Sequence, residues 1–428
     1  MKLPVIGFVG MTHLGLVSAV SAAQKGFSLV CYDPDALLIG DLNVNKLPVS
    51  EPQLDELVVK NKDRLIFTPN ISELHNCDLV YVAPDVATDD NGQSDLTAID
   101  SLLDAVFSAT RNDAVIVVLS QVPPGFTRSK HREGRILYYQ VETLIFGRAV
   151  ERALYPERYI VGCSDPSQNL PKSFQLFLEA HGCPILLMRY ESAELAKISI
   201  NMCLVASVTT ANTLAELCES IGADWSEIVP ALKLDKRIGQ YSYLSPGLGI
   251  AGGNLERDLA TVCNFADKYG TDAGVVRAWL ANSLHRKNWA VKTIKKALLD
   301  LNPLATVAVW GLAYKENTHS TKNSAAIATI SNLSNLQFRV FDPIVIWEKE
   351  WHLQTQVCTS ELETLDGADA LMIMTPWPQF RNIAPADISI RMKGRIVLDP
   401  YSVLSPFEAE ENNLQLHTLG CRSIIVNN

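Results

Sequence analysis

The sequence predicts an α/β protein with two doubly wound parallel-sheet domains and a helical region between them. Three observations carry this prediction. Short apolar runs alternate with helical patterns over residues 1–190, the same alternation returns over 303–428, and the intervening 191–302 is helical without it. Strands separated by helical crossovers pair in parallel. A chain of 428 residues is also too long for a single core.

In order along the chain, Leu3–Val9, Ser28–Tyr32, Leu79–Ala83 and Ala114–Leu119 read as strands, and Leu14–Lys25 as the helix between the first two. From Glu191 the stretch ESAELAKISINMCLVASVTTANTLAELCESIG runs about thirty residues without proline and ends at Gly222. A second helical pattern extends from Ala273 to Leu299. Long, largely apolar helices in mid-chain favour a domain spacer and a dimer interface, so a homodimer is expected. After LDLNP (Leu299–Pro303), the segments Thr306–Trp310, Gln337–Phe341, Ala370–Met374 and Arg395–Leu398 are strand-like. No sequence repeat relates the two sheet domains.

Composition narrows the function. Hydrophobic residues make up 47% and charged residues 20%, the ordinary balance of a globular domain. A formal net charge of −10 argues against a protein that coats nucleic acid or an anionic membrane, yet allows a local basic pocket for a phosphate-bearing small molecule. No apolar run approaches the roughly 20 residues that span a bilayer, and MKLPVIGFVG reads as a first strand rather than a cleaved leader. The nine cysteines are scattered without a C-x-x-C pair, which suggests neither zinc nor a disulfide framework. They fit free thiols in a reducing cytoplasm.

Two stretches point to ligands. In VIGFVGMTHLG, Gly10 and Gly15 fit the first and third glycines of G-x-G-x-x-G, with Thr12 in the middle position and His13 and Leu14 completing the turn. The middle glycine normally lets the backbone approach a pyrophosphate, so the Cβ of Thr12 must displace the phosphate or change the turn. An ordinary strand-to-helix turn reads much the same way. Asp33 sharpens the choice: it ends SLVCYD, eighteen residues after Gly15, where a carboxylate accepts from ribose hydroxyls and repels a 2′-phosphate. Together they favour NAD over NADP. The other stretch, PGLGIAGGNLERD (Pro246–Asp258), has glycines at 249, 252 and 253 that permit close backbone approach, read here as packing against a sugar. It lacks the Lys-Ser/Thr ending of a P-loop and offers Asn254 and Asp258 instead of a nucleophile.

With these features in place, the chain resembles the UDP-glucose/GDP-mannose dehydrogenase family along almost its whole length. The resemblance rests on LPVSEPQLDELV (47–58), DDNGQSDL (89–96), SQVPPGFTR (120–128), YPERYIVG (155–162), ESAELAKISIN (191–201), GLAYKENTHSTKNS (311–324), FDP (341–343) and TPWPQFR (375–381). It implies two Rossmann-like domains, the first binding NAD and the second a nucleotide sugar, joined by a central helical dimerisation region. It further implies oxidation of C6 of a sugar nucleotide, first to an aldehyde and then to an acid.

By that resemblance Lys197 is the catalytic lysine, Asn201 its helical partner and Asp258 the residue that positions water. Residues 197 and 201 stand at i and i+4, on one helix face, and a lysine on an apolar helix loses its charge readily if buried. Glu142 matches the first family glutamate, Lys315 a substrate-binding lysine, Arg237 an arginine that reaches substrate in the neighbouring subunit, and Lys322 a position where an arginine meets the cofactor. The glycine loop of the family ends in the cysteine that attacks the aldehyde, and here that position is Asn254. Cys263 lies beyond Asp258, on what reads as the following helix. Gln121, Phe146, Asp85 and Tyr401 also replace residues of the family pattern. The resemblance therefore implies a two-electron oxidation that stops at an aldehyde or ketone. An epimerase that retains its NAD, and a silent nucleotide-sugar-binding homologue, are the competing readings.

Overall fold

The computed structural model describes residues 3–87, 89, 93–299 and 302–424. Positions 90–92 of the DDNGQSDL segment and 300–301 of LDLNP lie outside them. The chain forms two compact units, 1–200 and 201–428.

The first unit is built on eight strands: β1 (Val5–Val9), β2 (Ser28–Tyr32), β3 (Leu65–Thr68), β4 (Leu79–Val82), β5 (Val115–Val118), β6 (Ile136–Gln140), β7 (Tyr159–Cys163) and β8 (Ile185–Arg189). Their order is β3-β2-β1-β4-β5-β6-β7-β8. Every pair is parallel except β6 with β7. The register sets Val5 beside Ser28 and Ile6 beside Leu79. Both faces are covered, which is why the strands read as unbroken apolar runs rather than alternating ones. One face packs Phe8, Leu29, Tyr81 and Val117 with the helix His13–Gln24, and the other packs Val9, Val80, Ile116 and Val118 with the helix Thr97–Ala109. The helix His13–Gln24 is apolar all round and buried accordingly.

The second unit carries β9 (Thr306–Trp310), β10 (Gln337–Phe341), β11 (Thr355–Val357), β12 (Ala370–Ile373), β13 (Ile396–Leu398) and β14 (Gln415–His417), in the order β11-β10-β9-β12-β13-β14 and all parallel. This repeats the order of the first six strands of the first sheet. Ala290, Val291, Ile294 and Leu298 share one core with Val307, Val309 and Met372 of the second sheet, so the helices before it belong to the same unit. The helical pattern from Ala273 breaks at Asn288, between Gly274–Lys287 and Trp289–Ile294, and ends in a π-helical turn, Lys295–Leu299.

The helix Tyr190–Ile221 is 32 residues long and supplies residues to both units. By length and composition it is apolar enough to cross a membrane, contrary to the expectation of no such run. Its acidic groups are nevertheless engaged within the protein. Glu191 pairs with Arg128 in the first unit, and Glu219 pairs with the buried Arg286 in the second.

Candidate active site

The turn after β1 has the shape its sequence predicts. Gly10 adopts φ +92°, and a Cβ there would lie 2.7 Å from the Pro84 nitrogen. A Cβ on Gly15 would lie 1.8 Å from the Gly10 carbonyl oxygen, so only glycine lets the helix start this close to the strand. Asp33 is buried at the end of β2. Its Oδ2 accepts from the Met11 N–H at 2.7 Å and its Oδ1 from the Asp35 N–H at 3.0 Å. Each carboxylate oxygen has two lone pairs, so acceptor capacity remains for ribose hydroxyls.

The other candidates of the turn have more specific surroundings. Thr12 precedes the helix and makes no cap bond with its own side chain; its Oγ accepts from the Asp85 N–H at 3.1 Å. The His13 N–H donates to Asp85 Oδ2 at 3.2 Å, while its ring stacks on Phe146 and bonds the buried Glu51 at 2.9 Å. The Leu14 side chain is buried in the core, which leaves only its backbone for a ligand. Gln121 follows β5, beside Ser120, whose hydroxyl donates to the Pro84 carbonyl. Gly10, Asp33, Asp85 and Gln121 thus gather at the carboxyl ends of their strands, where doubly wound sheets bind ligands. The glycine turn, the helix start and Asp33 fit the pyrophosphate and ribose of NAD. Asp85 stands at the helix start beside them.

Also in the first unit, Lys197 Nζ lies 3.1 Å from Glu142 Oε2, both side chains being largely buried. One turn earlier, Glu194 is fully buried and accepts from the Gly125 and Thr127 N–H groups at 2.6 and 2.8 Å, which holds the SQVPPGFTR loop. Burial pushes its carboxyl above the usual carboxylate range, against those same N–H bonds. Sequence reasoning passed over Glu51 and Glu194. Both stand inside the resembling segments LPVSEPQLDELV and ESAELAKISIN, and that was the available signal.

In the second unit, Asn201 Nδ2 donates to Asp258 Oδ2 at 2.5 Å, and Arg257 approaches the other oxygen at 3.4 Å. Asp258 is only 1% exposed. Asn254 is exposed at the first position of the helix Asn254–Tyr269, one turn before Asp258. Cys263 lies further along and packs with Val205, Ile250 and Leu259. Cys203 is exposed on the long helix two residues after Asn201, a spacing that faces away from it.

The glycines of the loop are held close to the protein itself. A Cβ on Gly249 would meet the Ser283 carbonyl at 2.5 Å, one on Gly252 the Tyr314 ring at 2.6 Å, and one on Gly253 the Lys322 stem at 3.1 Å. Protein packing alone therefore already requires glycine at these three positions. Lys315 lies over the Tyr314 ring, 5.8 Å from its centroid. Lys322 is thus placed against the glycine loop. Arg237 is 89% exposed at its side chain and bonded to Asp235 in its own turn. Burial raises the Tyr401 phenol, with Glu316 and Asp399 adding to the shift.

A doubly wound sheet with this glycine turn, and an aspartate at the end of its second strand, defines the dinucleotide-binding domain of an NAD-dependent oxidoreductase. Comparison with known proteins gives the family. Its NAD binding domain matches residues 4–177, its central domain 191–283 and its UDP binding domain 308–406, so the chain belongs to the UDP-glucose/GDP-mannose dehydrogenase family and uses NAD. It is 28% identical over 432 residues to a UDP-glucose 6-dehydrogenase of Rickettsia bellii, covering 97% of this chain and 99% of that one. It is also 28% identical to the UDP-glucose 6-dehydrogenase TuaD of Bacillus subtilis, over 97% of this chain and 93% of that one. Among solved structures, a UDP-glucose dehydrogenase from Pyrobaculum islandicum shares the fold at TM-score 0.82 and 24% identity, over 95% and 96% of the two chains.

Proposed function

We propose that this chain oxidises one carbinol of a nucleotide sugar, a UDP-sugar in the first instance, and stops at the aldehyde or ketone. The observation that carries the reading is Asn254 at the start of the helix that presents Asp258, with Cys263 packed into the core. An amide forms no thiohemiacetal, so the route to the acid through a covalent adduct is closed.

The first oxidation keeps its groups. NAD, when bound, accepts the hydride. Lys197 takes the hydroxyl proton, and its contact with Glu142 aims the amine. Asn201, fixed by Asp258, donates to the developing alkoxide, and Asp258 holds a water. Lys315 and Arg237 serve the nucleotide sugar, and the C6 carbinol is the one expected to react. The exposed stripe Leu214, Leu217 and Ile221 on the long helix supports a homodimer, and the free thiols support a cytoplasmic setting.

The test is incubation with NAD and a panel of UDP-, GDP- and dTDP-sugars, reading product mass beside NADH. One NADH per sugar, with a product two hydrogens lighter, is expected. An acid with two NADH refutes the stop. Turnover without net NADH supports the epimerase reading, and silence with NAD bound supports a binding role.

A further inference from the structure

The start of the helix His13–Gln24 already holds an anion of the protein's own. Asp85 Oδ2 accepts from the His13 N–H at 3.2 Å, and the Asp85 N–H returns a bond to Thr12 Oγ at 3.1 Å. Thr12 does not cap the helix itself, so the carboxylate does this from another loop. The two loops cannot move apart easily: Gly10 packs directly on Pro84, and Ser120 bonds the Pro84 carbonyl. A helix start favours one anion through its free N–H groups and its dipole. The pyrophosphate of a dinucleotide seeks the same groups, at the same end of the same helix.

We propose that Asp85 is an internal competitor for the pyrophosphate and thereby sets the NAD affinity of this chain. The exposed carboxylate caps the helix when NAD is absent and must swing out when it binds. Affinity is then lowered by the lost cap and by the repulsion between the displaced carboxylate and the phosphates. The inference rests on NAD use and is independent of whether oxidation stops after two electrons.

The test is calorimetric titration of the purified full-length protein and of Asp85→Asn and Asp85→Ser. NAD affinity is expected to rise about tenfold in both variants, from the loss of a like charge and of its attraction to the helix start. ADP-ribose, which shares the pyrophosphate but lacks nicotinamide, should gain equally, whereas adenosine should not gain. The melting temperature without ligand should fall in both variants, a readout that needs no turnover. Stability lost together with affinity gained is a pattern that a merely structural residue does not produce. Unchanged or weaker NAD affinity in both variants overturns the proposal while leaving NAD use intact. Failure of wild type and both variants to bind NAD overturns the two together.

Discussion

Replacing Asn254 by cysteine should give this chain the second oxidation. Position 254 is the first residue of the helix Asn254–Tyr269, sixteen residues long, and follows Gly253 at φ +90°. It is exposed, so a thiol there carries little burial penalty, and the helix start favours the thiolate. A lowering of about one pH unit from about 8.5 corresponds to about 1.4 kcal/mol, within the reach of a helix terminus. At pH 7.5 the thiolate fraction then rises from about a tenth to about a half. The thiolate adds to the aldehyde carbon, the adduct gives up its hydroxyl proton and passes a hydride to a second NAD, and water cleaves the resulting thioester to acid and free thiol. Two NADH per sugar and a carboxylate by mass spectrometry are expected, against one NADH for wild type and for Asn254→Ser. If Asn254→Cys runs the first step normally and still yields one NADH, the missing thiol is not what stops the reaction.

Other expectations follow from the same geometry. Lys197→Met should cut kcat by about 10²–10⁴ while the melting temperature stays near wild type, because it removes the proton acceptor beside Glu142; steady-state rates with thermal melts check this. Asp258→Asn should lower kcat over a similar range by disturbing the bond to Asn201, with NAD binding unchanged by calorimetry. Gly252→Ala, at φ +89° and 2.6 Å from the Tyr314 ring, should cost about 1–3 kcal/mol in denaturant unfolding. Adding Tyr314→Ala should return the steric part but not the backbone part. Burial pushes the His181 imidazole down to about 4 from an ordinary value near 6.5. The folded chain thus refuses a proton that the unfolded chain takes, so stability is full above pH about 6.5 and falls towards pH 4, by up to about 3 kcal/mol. His181→Asn should flatten that acid limb in urea titrations.

The geometry of the glycine turn was legible because its requirements are local. Gly10, Gly15 and Asp33 are fixed by a strand, a tight turn and a second strand, and each behaves as that rule demands. Lys197 and Asn201 could be paired because one helix carries both. The remainder depended on partners far away in sequence. Nothing near Glu51 announces that it receives His13, Gly147 and Ala149, and nothing near Glu194 announces Gly125 and Thr127. Nothing near the loop glycines announces that Tyr314 and Ser283 pack against them, since neither is a neighbour in sequence. The short strands β11 and β14, three residues each, offered no pattern to read.

The two sheets repeat one device that sequence comparison within the chain did not expose. Gly311 adopts φ +89° after β9 as Gly10 does after β1, and its N–H bonds the Phe341 carbonyl at 2.8 Å as that of Gly10 bonds Tyr32 at 2.9 Å. Asp342 accepts from the Leu312 and Ile344 N–H groups at 2.7 and 2.9 Å, as Asp33 does from Met11 and Asp35. A Cβ on Gly311 would strike Thr375, where one on Gly10 would strike Pro84. Two residues per sheet carry the device, a glycine and an aspartate, too few to register as a repeat. What differs is the chain that follows. In the first unit the helix begins at His13, directly after the turn. In the second unit the helix begins only at Ala325, after a loop that carries Lys315 and Lys322. The same glycine turn is therefore followed at once by a helix start in one unit and by a loop in the other, and a helix start directly after the turn is the arrangement that suits a dinucleotide pyrophosphate.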